Sequence, residues 1–162
     1  MAERPLFSAA ERRVLESLLR HRVRFMLVGL SAAVLQGAPV VTQDIHLWFE
    51  NLNDPRLIPA LRAVDAAYLS PFDMNPPMLA GAGTELFDVV VTMSGLGEFR
   101  DEQKHALNLP LGRHRLKVLG LARILASKEA ANRPKDRLVI PVLRNTLRTI
   151  HARAARRSPR AK

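Results

Sequence analysis

The sequence predicts one α+β domain, a mixed β-sheet flanked by helices and closed by two C-terminal helices. Two observations lead there. Runs rich in β-formers fall near the start and in the middle of the chain, while long helical patterns occupy its end. The chain has 162 residues, 48% of them hydrophobic, which suits one core rather than two. Residues 1–157 are read as the domain and residues 158–162 as a basic, flexible tail.

Taken in order, residues 8–21 form the first predicted helix. Ser8 stands at the N-cap with Glu11 three residues on, the spacing of a capping box. Val14, Leu15, Leu18 and Leu19 then recur at helical period. Residues 23–28 are mostly apolar and read as a buried strand ended by Gly29. Residues 32–35 suggest a short helix that stops at Gly37-Ala38-Pro39. Residues 44–49 read as a second strand, with Trp48 and Phe49 placed in the core or across the sheet. Asn51, Asn53, Asp54 and Pro55 mark a turn before a helix reaching about Val64. Pro71, Pro76 and Pro77 make the middle irregular, with Tyr68 and Phe72 packing beneath it. Residues 86–91 (Leu-Phe-Asp-Val-Val-Val) carry the strongest strand signal, and residues 115–118 a last short one. Residues 118–131 are helical, with Leu121, Ile124 and Leu125 facing inward. The final helical stretch covers 134–155, where Pro141 predicts a kink or a junction of two helices.

Composition narrows the function classes. There is no cysteine, which excludes disulfides and thiolate-bound zinc. No apolar run approaches the ~20 residues needed to cross a bilayer, and the first residues lack a signal-like apolar stretch. A cytoplasmic location and no membrane partner are expected. The formal charge is +10, and it is unevenly placed. Asp136 is the last acidic residue, and residues 144–162 hold seven arginines and lysines, leaving +3 for the rest. Such clustering fits a phosphate-rich partner such as RNA, or simply a solvated end. The segment has no aromatic side chain to stack on bases.

Three features bear on chemistry. Gly29-Leu30-Ser31 joins a strand to a helix, a turn that offers backbone N–H groups and a hydroxyl to phosphate; Ser31 equally suits a helix cap. In Thr42-Gln-Asp-Ile-His-Leu47, Asp44 and His46 are two apart on a strand and so share a face. Asp88 interrupts the apolar run at 86–91, where a carboxylate is costly to bury unless paired or bound to a cation.

Together these residues resemble the nucleotidyltransferase superfamily, in particular its minimal bacterial members related to the AbiEii-type toxins. The stretch Phe25-Met-Leu-Val-Gly-Leu-Ser-Ala-Ala-Val-Leu-Gln-Gly37 looks like the family's glycine-serine turn. Residues 42–47 look like its Asp-x-Asp strand, and Asp88 like its third carboxylate. Leu121-Ala-Arg-Ile-Leu-Ala-Ser-Lys128 followed by Arg133-Pro-Lys-Asp136 is similar to the Lys, Arg and Lys-Asp cluster on the paired helices behind the family's site. The likeness spans roughly residues 23–143. It implies transfer of a nucleoside monophosphate from NTP to a hydroxyl on RNA or protein. It further implies catalytic roles for Asp44, Asp88, Lys128 and Asp136, nucleotide binding at Gly29 and Ser31, and Mg²⁺ or Mn²⁺ on Asp44, His46 and Asp88. A protein partner, as in toxin–antitoxin pairs, is a family-level implication without a residue to carry it. Read from the residues alone, Lys128 suits a surface ion pair and Asp136 the first turn of the last helix.

Two departures stand out. Leu30 separates the glycine from the serine, and His46 occupies the place of the second aspartate. Magnesium takes hard oxygen ligands in near-octahedral geometry, whereas imidazole suits zinc, copper or nickel. The substitution removes a negative charge and the ligand best able to bridge two ions. The alternative expectation is therefore a catalytically impaired module that binds nucleotide, RNA or a protein partner.

Overall fold

In a computed structural model, which describes residues 6–158, the elements run α1 (Ala9–Arg20), β1 (Phe25–Val28), α2 (Gly29–Leu35), β2 (Ile45–Phe49), α3 (Leu57–Arg62), β3 (Ala67–Leu69), β4 (Met78–Ala80), β5 (Phe87–Val90), α4 (Phe99–Glu102), a 3-10 turn (Gln103–His105), β6 (Ala106–Leu111), β7 (His114–Leu119), α5 (Leu121–Ala131) and α6 (Pro134–Arg157). Five strands form one mixed sheet in the order β5-β2-β1-β7-β6, and β3 pairs with β4 separately. β1 lies antiparallel to β2 and parallel to β7, while β2 is parallel to β5. Residues 159–162 of the expected basic tail lie outside the described residues.

Local chemistry sets the element ends. Ser8 Oγ accepts from the Glu11 amide and the Glu11 carboxylate accepts from the Ser8 amide, so both halves of the predicted capping box form. α5 has only Gly120 at its N-cap, and a distant side chain supplies the missing acceptor. Gln36 Oε1 accepts from the Leu121 amide while its Nε2 donates to the carbonyls of Ala32 and Leu119. One amide thus ties the end of α2 to the junction of β7 and α5, satisfying groups a bare helix start leaves open. The core is one cluster around the central strands, including Met26, Leu27, Leu47, Trp48, Val118, Ile124 and Leu143. Trp48 meets Phe99 edge-to-face with ring centroids 5.8 Å apart, and its indole N–H donates to the Val91 carbonyl.

The structure bears on four expectations. The strand predicted at 86–91 is an edge strand, so Asp88 is 57% exposed and escapes most of the cost of burying a carboxylate. Its apolar run reads as interior because the neighbouring Phe87 does face the core. Phe72 does not pack beneath the proline-rich segment; it is 80% exposed, while Tyr68 does pack against the core. The β3–β4 hairpin and β6 are additional strands, the first hidden by its prolines and the second by Pro110. Finally, α6 is one continuous helix with Pro141 inside it, so no junction of two helices falls there. That residue is exposed, and its ring removes the N–H that would have bonded the carbonyl four residues earlier.

Candidate active site

Sheet register assembles the site. Val28 is opposite His46, and His46 is beside Asp88, so the three side chains share one face at one end of the sheet. His46 Nε2 lies 3.4 Å from Asp88 Oδ2. Its Nδ1 is buried with no hydrogen-bond partner, and it is packed against Gly29. Gly29 has φ +71°, and a Cβ built there would sit 2.9 Å from His46 Nδ1. The glycine is thus needed twice, for the left-handed backbone and for the space the imidazole fills. Gly29→Ala is expected to destabilise the fold by roughly 2 kcal/mol, the left-handed penalty plus displacement of the ring; urea unfolding measures it, and an unchanged midpoint would contradict the packing described.

Burial lowers the His46 pKa, aided by Lys128 and Lys135 and opposed by the carboxylates of Asp88 and Asp44. The imidazole is therefore neutral at pH 7. Asp44 immediately precedes β2 and is exposed. It acts on His46 through its charge, without an ion pair. Among the described residues, no group of three or more His, Asp or Glu side chains stands close enough to hold a metal ion. Ser31 is buried and its hydroxyl donates to the Val28 carbonyl at 3.3 Å, so the side chain holds the start of α2 and faces away from solvent.

Opposite the sheet, the turn between α5 and α6 brings in cations. Asp136 is 1% exposed and sits between Lys128 Nζ at 3.1 Å and Arg133 Nε at 2.8 Å. Burial raises its carboxyl pKa, but the hydrogen bonds from Arg133 and Lys128 outweigh this and hold it at about 2. It also accepts from the Arg133 amide and so caps α6. Lys128, with 17% of its side chain exposed, is thereby fixed at the rim of a cleft of about 240 Å³. Val28, Gly29, His46, Thr92, Ser94 and Arg133 also line it. The sequence motifs account for Gly29, His46, Lys128 and Arg133. Thr92 and Ser94 carry no motif in the sequence; the close approach of Gly95 to Ala130 of α5 sets this segment against α5 at the cleft. A larger groove of about 910 Å³ lies at the other end of β2. Its arginines are ion-paired, Arg24 and Arg100 sharing Glu50 and Arg56 meeting Asp54, and it is lined by neither the glycine turn nor His46, which the smaller cleft contains.

No protein-family model and no curated protein sequence matches the chain. Among solved structures, it is similar to the aminoglycoside nucleotidyltransferase ANT(2")-Ia in complex with adenylyl-2"-tobramycin, with a TM-score of 0.55, 16% sequence identity, and coverage of 92% of this chain and 95% of that one. The chain has a nucleotidyltransferase-like fold. At this identity the likeness concerns fold, and the chemistry rests on the residues in the cleft.

Proposed function

We propose that this chain is a minimal nucleotidyltransferase-fold protein of the AbiEii-related type with a degenerate Asp-x-Asp motif. In this reading it binds the phosphate chain of a nucleoside triphosphate in the cleft between Gly29 and Lys128. The observation that carries the reading is the Lys128–Asp136–Arg133 cluster, in which two cations share one buried carboxylate and leave a net positive charge at the rim of a cleft that Gly29 and His46 also line. Lys128 and Arg133 neutralise phosphate charge there, and Arg133 adds a planar fork suited to paired phosphate oxygens.

The residues do not fit a two-magnesium site. The position that would bridge two ions is a neutral imidazole already facing Asp88, and Asp44, though near enough for its charge to act on His46, does not complete a metal-binding group with them. The geometry therefore favours nucleotide binding over rapid transfer. Where transfer occurs, its acceptor is a hydroxyl on RNA or protein. A polycationic aminoglycoside is a poor match for a chain of charge +10, because like charges repel at encounter.

The test is thermal unfolding with each of the four NTPs in the presence of chelator, on native protein and Lys128→Ala. A hundredfold excess over Kd stabilises by about 2.7 kcal/mol, a rise of roughly 5–10 °C for a domain of this size. One or more NTPs should raise the native melting point, and the variant should lose the rise measured from its own ligand-free value. No response to any NTP, with or without added metal, would reduce the assignment to fold alone.

A further inference from the structure

We infer that the C-terminal end of α6, with the groove at its base, is a docking surface for duplex RNA. This rests on the surface of α6 and not on nucleotide binding in the cleft, so either can fail alone. α6 has 24 residues and is about 36 Å long. Its inner face is held by Asp136 and Leu143, whereas every residue from 151 to 158 is exposed. The last two turns thus stand clear of the domain.

Those turns carry Arg153, Arg156 and Arg157, none of which forms an ion pair among the described residues, in contrast to Arg144, held by Glu129. No acidic residue follows Asp136. At 100° per residue the three arginines fall on one side of the helix, a spacing that presents adjacent cations to a phosphate backbone. Soluble helices offset such runs with glutamates at i±4; here there are none. Unneutralised charge of this density fits a polyanion.

Two observations select the duplex and the RNA. α6 has no Phe, Tyr or Trp, its one ring being that of His151, so it lacks the run of stacking platforms on which successive unpaired bases are held. Beside Arg153, a groove of about 440 Å³ is lined by Asn145, Thr146 and Thr149 of α6, with Val142 and Ile150 between them, and by Pro39 beyond α2. The Asn145 amide is open, and the Thr149 hydroxyl, which donates to the Asn145 carbonyl, keeps its acceptor lone pairs. Such groups match the 2′-hydroxyls displayed across the shallow minor groove of A-form RNA.

Fluorescence anisotropy on the full chain tests this with a 20-base-pair RNA duplex, the same sequence as DNA duplex, and its single RNA strand. The RNA duplex should bind most tightly, with affinity falling roughly 40-fold between 50 and 200 mM salt if three phosphates are contacted. Arg153→Ala/Arg156→Ala/Arg157→Ala should weaken binding at least tenfold and lower the log–log salt slope by about 3, with an unchanged melting point. Arg13→Ala/Arg20→Ala/Arg113→Ala removes equal charge elsewhere and should bind within about twofold of native. If the α6 variant melts early, Arg153→Glu alone replaces it and should give the same direction of change. Equal loss in both triple variants, no loss in the α6 variant, or DNA or single strand binding as well as the RNA duplex would each overturn the inference.

Discussion

His46→Asp is expected to make the protein respond to magnesium or manganese together with NTP, where the native chain responds to NTP without needing metal. The reasoning starts from charge. Native His46 is neutral and faces Asp88 at 3.4 Å. An aspartate there sets two carboxylates side by side with Asp44 near, and in the absence of a cation they repel. Asp88 is more than half exposed, so the cost is that of a solvent-screened pair, about 1 kcal/mol. The ligand-free variant should therefore melt lower than native. A divalent ion relieves the repulsion and gains the oxygen ligands it prefers, so metal plus NTP should stabilise the variant by about 3 kcal/mol at saturation. A thermal-shift titration of NTP against metal on both proteins reads this as a crossing: variant below native without ligand, and a metal-dependent gain in the variant alone. An equal metal-dependent gain in native protein would show His46 to be a working ligand. No metal dependence in either would detach the Asp-x-Asp resemblance from metal chemistry.

Much of this arrangement was legible in the sequence because it depends on near neighbours. Ser8 and Glu11 specify a cap three residues apart, and the i, i+2 period of a strand places His46 where register then pairs it with Val28 and Asp88. What remained hidden depends on strand order. Whether residues 86–91 lie at the centre or edge of a sheet is not written in their own hydrophobicity, because Phe87 and Val89 face inward from an edge as well. Asp88 therefore escapes the burial cost its apolar run suggests, and its place beside His46 follows from the register. Pro76 and Pro77 concealed β4 because proline reads as a break, yet it is tolerated just outside an edge strand. Gln36 is the opposite case, a residue with no local signal that ties two elements 85 positions apart. Lys128 and Asp136 were legible as a motif, but not as partners, since their contact needs the turn between α5 and α6 to close.

Asp136→Ala is expected to be the most destabilising single change in the site, by roughly 3–4 kcal/mol at pH 7. The carboxylate is almost fully buried and compensates Lys128, itself mostly buried, at 3.1 Å. Removing one member of a buried ion pair leaves the other without compensation, at a cost of about 3–5 kcal/mol. Lys128 keeps a little solvent contact, which brings the value to the lower part of that range, and loss of the α6 cap adds to it. Asp136→Asn keeps a cap acceptor but not the charge and should cost about 2 kcal/mol. The pH dependence has a definite sign. The folded-state pKa is about 2 against 3.8 for the unfolded chain, so the unfolded state takes up the proton first as pH falls. The native protein keeps this contribution above about pH 4 and loses roughly 2 kcal/mol as pH drops through 2. Urea unfolding at pH 7, 4 and 2.5 should show the native and alanine curves converging toward acid. A constant gap across that range would mean that Asp136 acts through packing and capping alone. The same variants separate structure from binding: if Asp136 holds Lys128 at the rim of the cleft, the asparagine form should fold at pH 7 yet bind NTP more weakly than native protein.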